Sequence, residues 1–163
     1  MTLPSGLPRI TITAEIIRIV KAGVDALSTQ GSTRFGGRYN HPGEMGVLYA
    51  SFQAKTAIAE VARHSTTPLA ARWWQYTLRV EDVVALDLTD PAVLSRLGTS
   101  KRALVEMNLD LPRRLAREAK EAGFQALIVP SAAIPEGRNV VLFLDTLSDT
   151  PVLTASQPIE WRT

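Results

Sequence analysis

The chain has 163 residues, 45% of them hydrophobic and 21% charged, with a formal net charge of +2 and no cysteine. That composition suits one globular domain over residues 1–163, large enough to bury an ordinary core. It excludes a disordered tail, a membrane-spanning helix, a disulfide framework and thiolate chemistry, and leaves only a weak electrostatic argument for nucleic acid. The opening residues, MTLPSGLPRITIT, have neither the basic start nor the apolar run of an export signal, so the expected compartment is the cytoplasm.

Residues 9–20 (RITITAEIIRIV) alternate apolar and polar positions before turning almost wholly apolar, which predicts a strand that grows more buried as it runs. Arg18 interrupts its apolar part. It is either a surface charge whose stem covers apolar neighbours or an anion ligand. Residues 21–33 are small and polar, with Gly23 and Gly31, and predict a loop.

Arg34-Phe35-Gly36-Gly37-Arg38-Tyr39-Asn40 comes next. Adjacent glycines let backbone pass close to another group, and Arg38 behind them offers a fork of donors suited to phosphate oxygens. A plain turn is the competing reading. Asn40-His41-Pro42-Gly43 is a strong turn signal, with His41 expected to be exposed. His64 closes a later helix, where a histidine interacts favourably with the helix end. Two histidines without cysteine give no conventional zinc set, and no metal is expected.

Val47-Leu48-Tyr49-Ala50 predicts a short strand, and Ser51 is the expected N-cap of the helix that follows. In that helix Ala54, Ala57, Ile58, Val61 and Ala62 form the apolar face, with Glu60 directed elsewhere. Glu60 is then either a solvated helix carboxylate or an acid facing a cleft near the end of the Tyr49 strand. Tyr49 itself reads equally well as a half-buried strand aromatic.

Residues 73–80 (WWQYTLRV) have strict period-two alternation, placing Trp74, Tyr76, Leu78 and Val80 on one face, and Val83–Leu88 predicts a further strand. Asp90 caps a short helix from Pro91 that ends before Gly98, and Ser100–Asn108 is also helical. Pro112 opens another helix, with Leu115, Ala116, Ala119 and Ala122 on its apolar face, closed by Gly123. Its mixed acidic and basic residues predict a solvated face rather than a nucleic-acid stripe. Phe124–Val129 and Val140–Leu144 predict buried strands, joined through Pro130-Ser131 and Glu136-Gly137-Arg138-Asn139. Ser131 has no nucleophile elbow or suitably placed histidine, so any role it has is as a hydrogen-bonding group. From Asp145 the chain is polar and expected to pack loosely, with Trp161 as an anchor. The interspersed elements give an α+β class.

Arg18, the run Gly36-Gly37-Arg38-Tyr39-Asn40, Leu48-Tyr49-Ala50-Ser51, Ala59-Glu60 and Val129-Pro130-Ser131 with Asn139 together resemble the RES domain family over about residues 16–143. The resemblance implies a fold similar to ADP-ribosyltransferase toxins, with a mixed, mostly antiparallel split β core flanked by helices. It implies a toxin of a bacterial toxin-antitoxin pair, with an Xre-like antitoxin as partner and NAD+ as substrate. On that resemblance Glu60 is the acid, Arg18 and Arg38 the basic residues, Tyr49 the aromatic and Ser131 the serine, with Asn139 a further ligand contact. Tyr39 stands where many members have Trp or Phe and keeps a ring for stacking; Arg9 and Arg34 are other early arginines that could fill the first basic position. Cleavage of the nicotinamide–ribose bond leaves an oxocarbenium-like sugar that a carboxylate stabilises, while the arginines hold the diphosphate. Water, inorganic phosphate or a protein side chain could be the acceptor; a module directed at RNA is the alternative of another class.

Overall fold

The computed structural model describes residues 2–64 and 72–159, which include six strands and five α-helices. The strands are β1 (Ile10–Lys21), β2 (Leu48–Ser51), β3 (Trp73–Asp87), β4 (Ala126–Pro130), β5 (Arg138–Leu142) and β6 (Val152–Ile159). The helices are α1 (Gln30–Phe35), α2 (Ala54–His64), α3 (Pro91–Leu97), α4 (Lys101–Val105) and α5 (Asp110–Glu121). The loop expected over residues 21–33 therefore contains the start of a short helix, and the expected anchor, Trp161, lies outside the described residues.

The sheet runs β1-β2-β5-β4-β3, and β1 also pairs with β3, so five strands close on themselves; β6 is appended to β3. All pairings are antiparallel except β3 with β4. The mixed, mostly antiparallel core is present, but it is closed where a split core was expected. The reason is β3. Its two predicted pieces form one 15-residue strand, which holds β1 along one edge while the other edge serves β6 near its start and β4 at its end. Asp82, with φ of 52°, marks the bend between these halves, and Thr13 Oγ1 accepts a hydrogen bond from its amide.

Alternation along the strands divides the core in two. Ile12, Ile16, Leu48, Ala50, Leu78, Val80, Ala126, Ile128, Val140 and Leu142 fill the barrel interior. Leu127, Val129 and Val141 face outward and are covered, together with Leu86, Leu88 and Phe143, by apolar residues of α3, α4 and α5. Local signals bound α3 as expected, whereas α4 ends at Val105, short of the expected Asn108, and α5 begins at Asp110, before Pro112. Asp90 Oδ1 caps α3, Pro91 opens it, Gly98 closes it in a left-handed conformation, and Ser100 Oγ caps α4. The polar end of the chain is β6, whose residues are nearly all exposed.

Candidate functional site

A row of paired residues crosses one end of the barrel: Ile17 of β1 faces Ser51 of β2, Ser51 faces Asn139 of β5, and Asn139 faces Val129 of β4. This register brings together sequence-distant polar groups just where two strands give way to loops. Ser51 Oγ donates to Asn139 Oδ1 at 2.6 Å. Ser51 is thus the buried last residue of β2 and not a helix cap; the first helical bond of α2 runs instead to the carbonyl of Gln53.

Helix α2 lies over β1, β2 and β5. Its inward face is rotated from the expected one: Thr56 and Ala57 are buried, while Ala62 is exposed. Glu60, one turn beyond Thr56, is therefore carried toward the barrel end. Its Oε1 accepts from Ser131 Oγ at 2.5 Å and from the amide of Ala133 at 3.3 Å. Ser131 Oγ in turn accepts the amides of Ala133 and Ile134 at 3.0 and 3.1 Å, so the hydroxyl's proton is directed onto the carboxylate. Gly137 lets this loop close, because a Cβ there would sit 3.1 Å from the Ser131 Cβ, the Ile134 carbonyl and Thr56 Cγ2 alike.

The glycine-rich segment forms the other wall. Gly37 and Asn40 bond to each other across a tight turn, with φ of 70° at Gly36. Asn40, 1% exposed, accepts the Tyr49 hydroxyl at 2.7 Å through Oδ1; its Nδ2 donates to the carbonyls of Ser32 at 2.7 Å and Met45 at 3.2 Å. The Tyr49 oxygen also accepts the amide of Tyr39 at 3.0 Å. Burial, partly countered by that amide and by the charges of Arg113 and Arg38, pushes the Tyr49 hydroxyl well above the ordinary tyrosine range. It stays a proton donor at any physiological pH.

Gly37 owes its identity to this packing. A Cβ built there falls 2.5 Å from the Tyr49 hydroxyl oxygen and 2.8 Å from Cζ. Gly37→Ala is expected to displace the Tyr49 ring and cost roughly 1–3 kcal/mol, read as a lowered denaturation midpoint at unchanged slope. An unchanged midpoint would mean that Tyr49 is not held against this backbone.

Arg38 turns away from the glycines toward α4, donating from Nη1 to the carbonyls of Glu106 at 2.5 Å and Leu104 at 3.2 Å. Tyr39, expected to offer its ring to a ligand, is 2% exposed and packs in the outer core. Its hydroxyl is buried with no hydrogen-bond partner among the described residues. Burial raises its pKa above the ordinary range; Arg38 lowers it, and Tyr49 and Glu60 add to the rise. Such an orphaned polar atom is unusual in a folded core.

Arg18 is placed differently. Next to Ile17 in the strand, it shares the inward-facing parity of Ile16, opposite to Tyr49 and Ser51. Its Nη1 and Nη2 each donate at 2.6 Å, to the carbonyls of Ala26 and Ser28 respectively, and burial lowers its pKa to about 10 despite the nearby Asp25. It is still a cation at neutral pH. Among the described residues, no hydrogen bond joins it to Arg38 or Glu60. Of the other early arginines, Arg9 stacks on Phe124 and Arg34 on Phe35.

One cation was hidden in the expected solvated face of α5. Arg113 Nε donates to the Gly37 carbonyl at 2.9 Å, and its Nη1 lies 3.4 Å from His41 Nδ1. His41 is correspondingly half-buried rather than an exposed turn tip. Helical spacing marks Arg113 only as polar; its contact with a turn 76 residues earlier has no local signature. Behind the Ser131 loop lies a cleft of about 260 Å³, bordered by Thr89, Lys101, Arg102, Ser131, Glu136 and Arg138 together with apolar neighbours. Among the described residues no group of three or more acidic or histidine side chains could hold a metal ion.

Comparison with known proteins adds to this geometry. The model of the RES domain matches residues 15–162. The probable NAD(+) phosphorylase Rv3189 of Mycobacterium tuberculosis (strain ATCC 25618 / H37Rv) is 33% identical over 115 residues, 68% of this chain and 55% of that protein. The NAD(+) phosphorylase MbcT of Mycobacterium bovis is 31% identical over 122 residues, 71% of this chain and 66% of that one. The matches thus span somewhat over half of the first relative and just under two thirds of the second. A crystal structure of the M. tuberculosis MbcT-MbcA toxin-antitoxin complex aligns with a TM-score of 0.83 at 25% identity, covering 93% of this chain and 86% of that chain.

Proposed function

We propose, from the premise that this chain belongs to the RES domain family, that it is the toxin of a toxin-antitoxin pair and depletes NAD+ by cleaving its nicotinamide–ribose bond. Phosphorolysis is the favoured reaction, since two relatives carry the name NAD(+) phosphorylase. The observation that supports the reading is the 2.5 Å contact between Ser131 and Glu60, which fixes a carboxylate at the barrel end where Ser51 meets Asn139, on the sheet face that also carries Tyr49.

In NAD+ the departing nicotinamide is already cationic at its ring nitrogen, so the bond breaks without a strong acid. The positive charge that develops on the ribose is what needs stabilising. Glu60, with Oε1 fixed by Ser131 and Ala133, faces that charge or holds a ribose hydroxyl. Arg38 holds the diphosphate; among the described residues its Nε and Nη2 donate to no protein acceptor. Arg18, clamped by the carbonyls of Ala26 and Ser28 on the opposite parity of β1, takes no part in this reading. Tyr49 faces the nicotinamide or ribose ring, with Tyr39 buried behind it, and Asn139 orients the ligand's polar groups. The partner is an Xre-like antitoxin, in keeping with the toxin-antitoxin complex among the structural relatives.

Product analysis tests this reading. With inorganic phosphate present, incubation with NAD+ is expected to release free nicotinamide and ADP-ribose carrying a new phosphate on its anomeric carbon. Label from NAD+ accumulating on a macromolecule would replace phosphorolysis by ADP-ribosyl transfer, and ADP-ribose alone would assign water as the acceptor.

A further inference from the structure

We infer that the cleft between α4 and the β4–β5 loop is a phosphate-binding site that presents the inorganic phosphate acceptor to the reacting sugar. This inference rests on the phosphorolysis reading. Three cations border the cleft: Lys101 and Arg102 from α4, and Arg138 from the first position of β5. The hydroxyls on the wall are already donated, Thr89 to Asp87 and Ser131 to Glu60, so the cations carry the recognition, and the volume of about 260 Å³ leaves room for a tetrahedral oxyanion with some of its water.

Position makes this more than a basic patch. Ser131 borders the cleft and at the same time bonds the Glu60 carboxylate, so an anion seated there is one side chain away from the proposed reacting centre. Arg138 and the backbone of α4 are held from outside the cleft. Arg138 lies over the Phe52 ring with its guanidinium carbon 4.9 Å from the centroid, and its carbonyl accepts the Phe52 amide. Helix α4 is held by Arg38 through the carbonyls of Leu104 and Glu106. The same arginine proposed to hold the dinucleotide therefore also positions the helix that supplies two of the acceptor's cations. Arg102 is only loosely committed, 4.0 Å from Glu106 on an exposed surface, and among the described residues no ion pair occupies Lys101 or Arg138.

One anion opposes the ligand. Glu136, on the cleft wall with φ of 64°, brings a carboxylate to the edge of the site. Its repulsion reserves the cleft for a ligand whose charge outweighs it, such as dianionic phosphate. In the step itself a phosphate oxygen forms the bond to the anomeric carbon as the carbon–nitrogen bond breaks. The electron pair of that bond goes to the pyridinium ring, nicotinamide leaves neutral, and the phosphate keeps its proton.

Steady-state kinetics on charge-removing variants test the assignment, with thermal melting as a control for folding. The double variant Lys101→Gln/Arg138→Gln is expected to raise KM for inorganic phosphate about 10-fold or more, the loss of at least one charge-assisted contact, while KM for NAD+ moves less than about 2-fold. Glu136→Gln is expected to lower KM for phosphate about 2-fold, a change of sign that general damage to the loop would not produce. A rise in KM for NAD+ with phosphate unaffected would give the cleft to the dinucleotide's own diphosphate and overturn the acceptor assignment. Unchanged KM values for both would remove the cleft from the mechanism. Phosphate titration of the intact protein by ³¹P NMR provides a readout without turnover: binding weakened by the double variant in a chain that consumes no NAD+ would sink phosphorolysis and leave the anion site standing, whereas binding equal in wild type and variant would sink the site.

Discussion

Glu60→Gln is expected to lower nicotinamide release at least about 100-fold while leaving the protein folded, because on the proposed reading it removes the negative charge that faces the reacting sugar. The glutamine oxygen can still accept from Ser131 Oγ and the Ala133 amide, so these two contacts survive. The melting temperature should fall by no more than a few degrees, and the loss should lie in kcat rather than in KM for NAD+. Turnover within about 3-fold of wild type would show that the carboxylate does not stabilise the transition state.

Replacing Asn40 by alanine should have the largest structural effect. Its side chain joins the Tyr49 hydroxyl to the carbonyls of Ser32 and Met45 from a fully buried position, and truncation takes this partner from the Tyr49 hydroxyl and the Met45 carbonyl, while the Ser32 carbonyl keeps the Gly36 amide. Unsatisfied buried polar groups cost about 1–3 kcal/mol each, so a loss of roughly 3–5 kcal/mol and about 10 °C in Tm is expected. Tyr49→Phe, which removes the hydroxyl but keeps the ring, should fall between this variant and wild type. A Tm drop below about 2 °C for Asn40→Ala would mean that the turn is held by its backbone alone. The outcome bears on function because the same side chain positions Tyr49, whose oxygen receives the Tyr39 amide.

Both variants concern residues with different visibility in the sequence. Glu60 was legible as a candidate through its family-like setting, yet its helical pattern directed it away from the apolar face and said nothing of Ser131, 71 residues later. Asn40 read only as a turn former. Arg113 was hidden among alternating charges, and Arg18, legible as an odd cation in an apolar strand, clamps the carbonyls of Ala26 and Ser28 in the folded chain. Ser51 was assigned to a cap because serine before a helix commonly is one; strand pairing to Asn139 took precedence.

By itself the sequence determined the elements whose causes are local. Period-two alternation made β1 and β3, Asp90-Pro91 and Gly98 bounded α3, and Leu115, Ala116 and Ala119 of α5 were buried as their spacing predicts, since each depends on residues within a few positions, whereas Ala122 is exposed and Glu118 buried against that pattern. Only tertiary structure decided that β3 would run unbroken past Asp82 and close the barrel, that α2 would turn Glu60 inward, and that Ser131 and Arg113 would meet partners far along the chain. Those outcomes depend on strand register and on the burial of polar groups that must find a partner once water is excluded, and neither is encoded in the spacing of neighbouring residues.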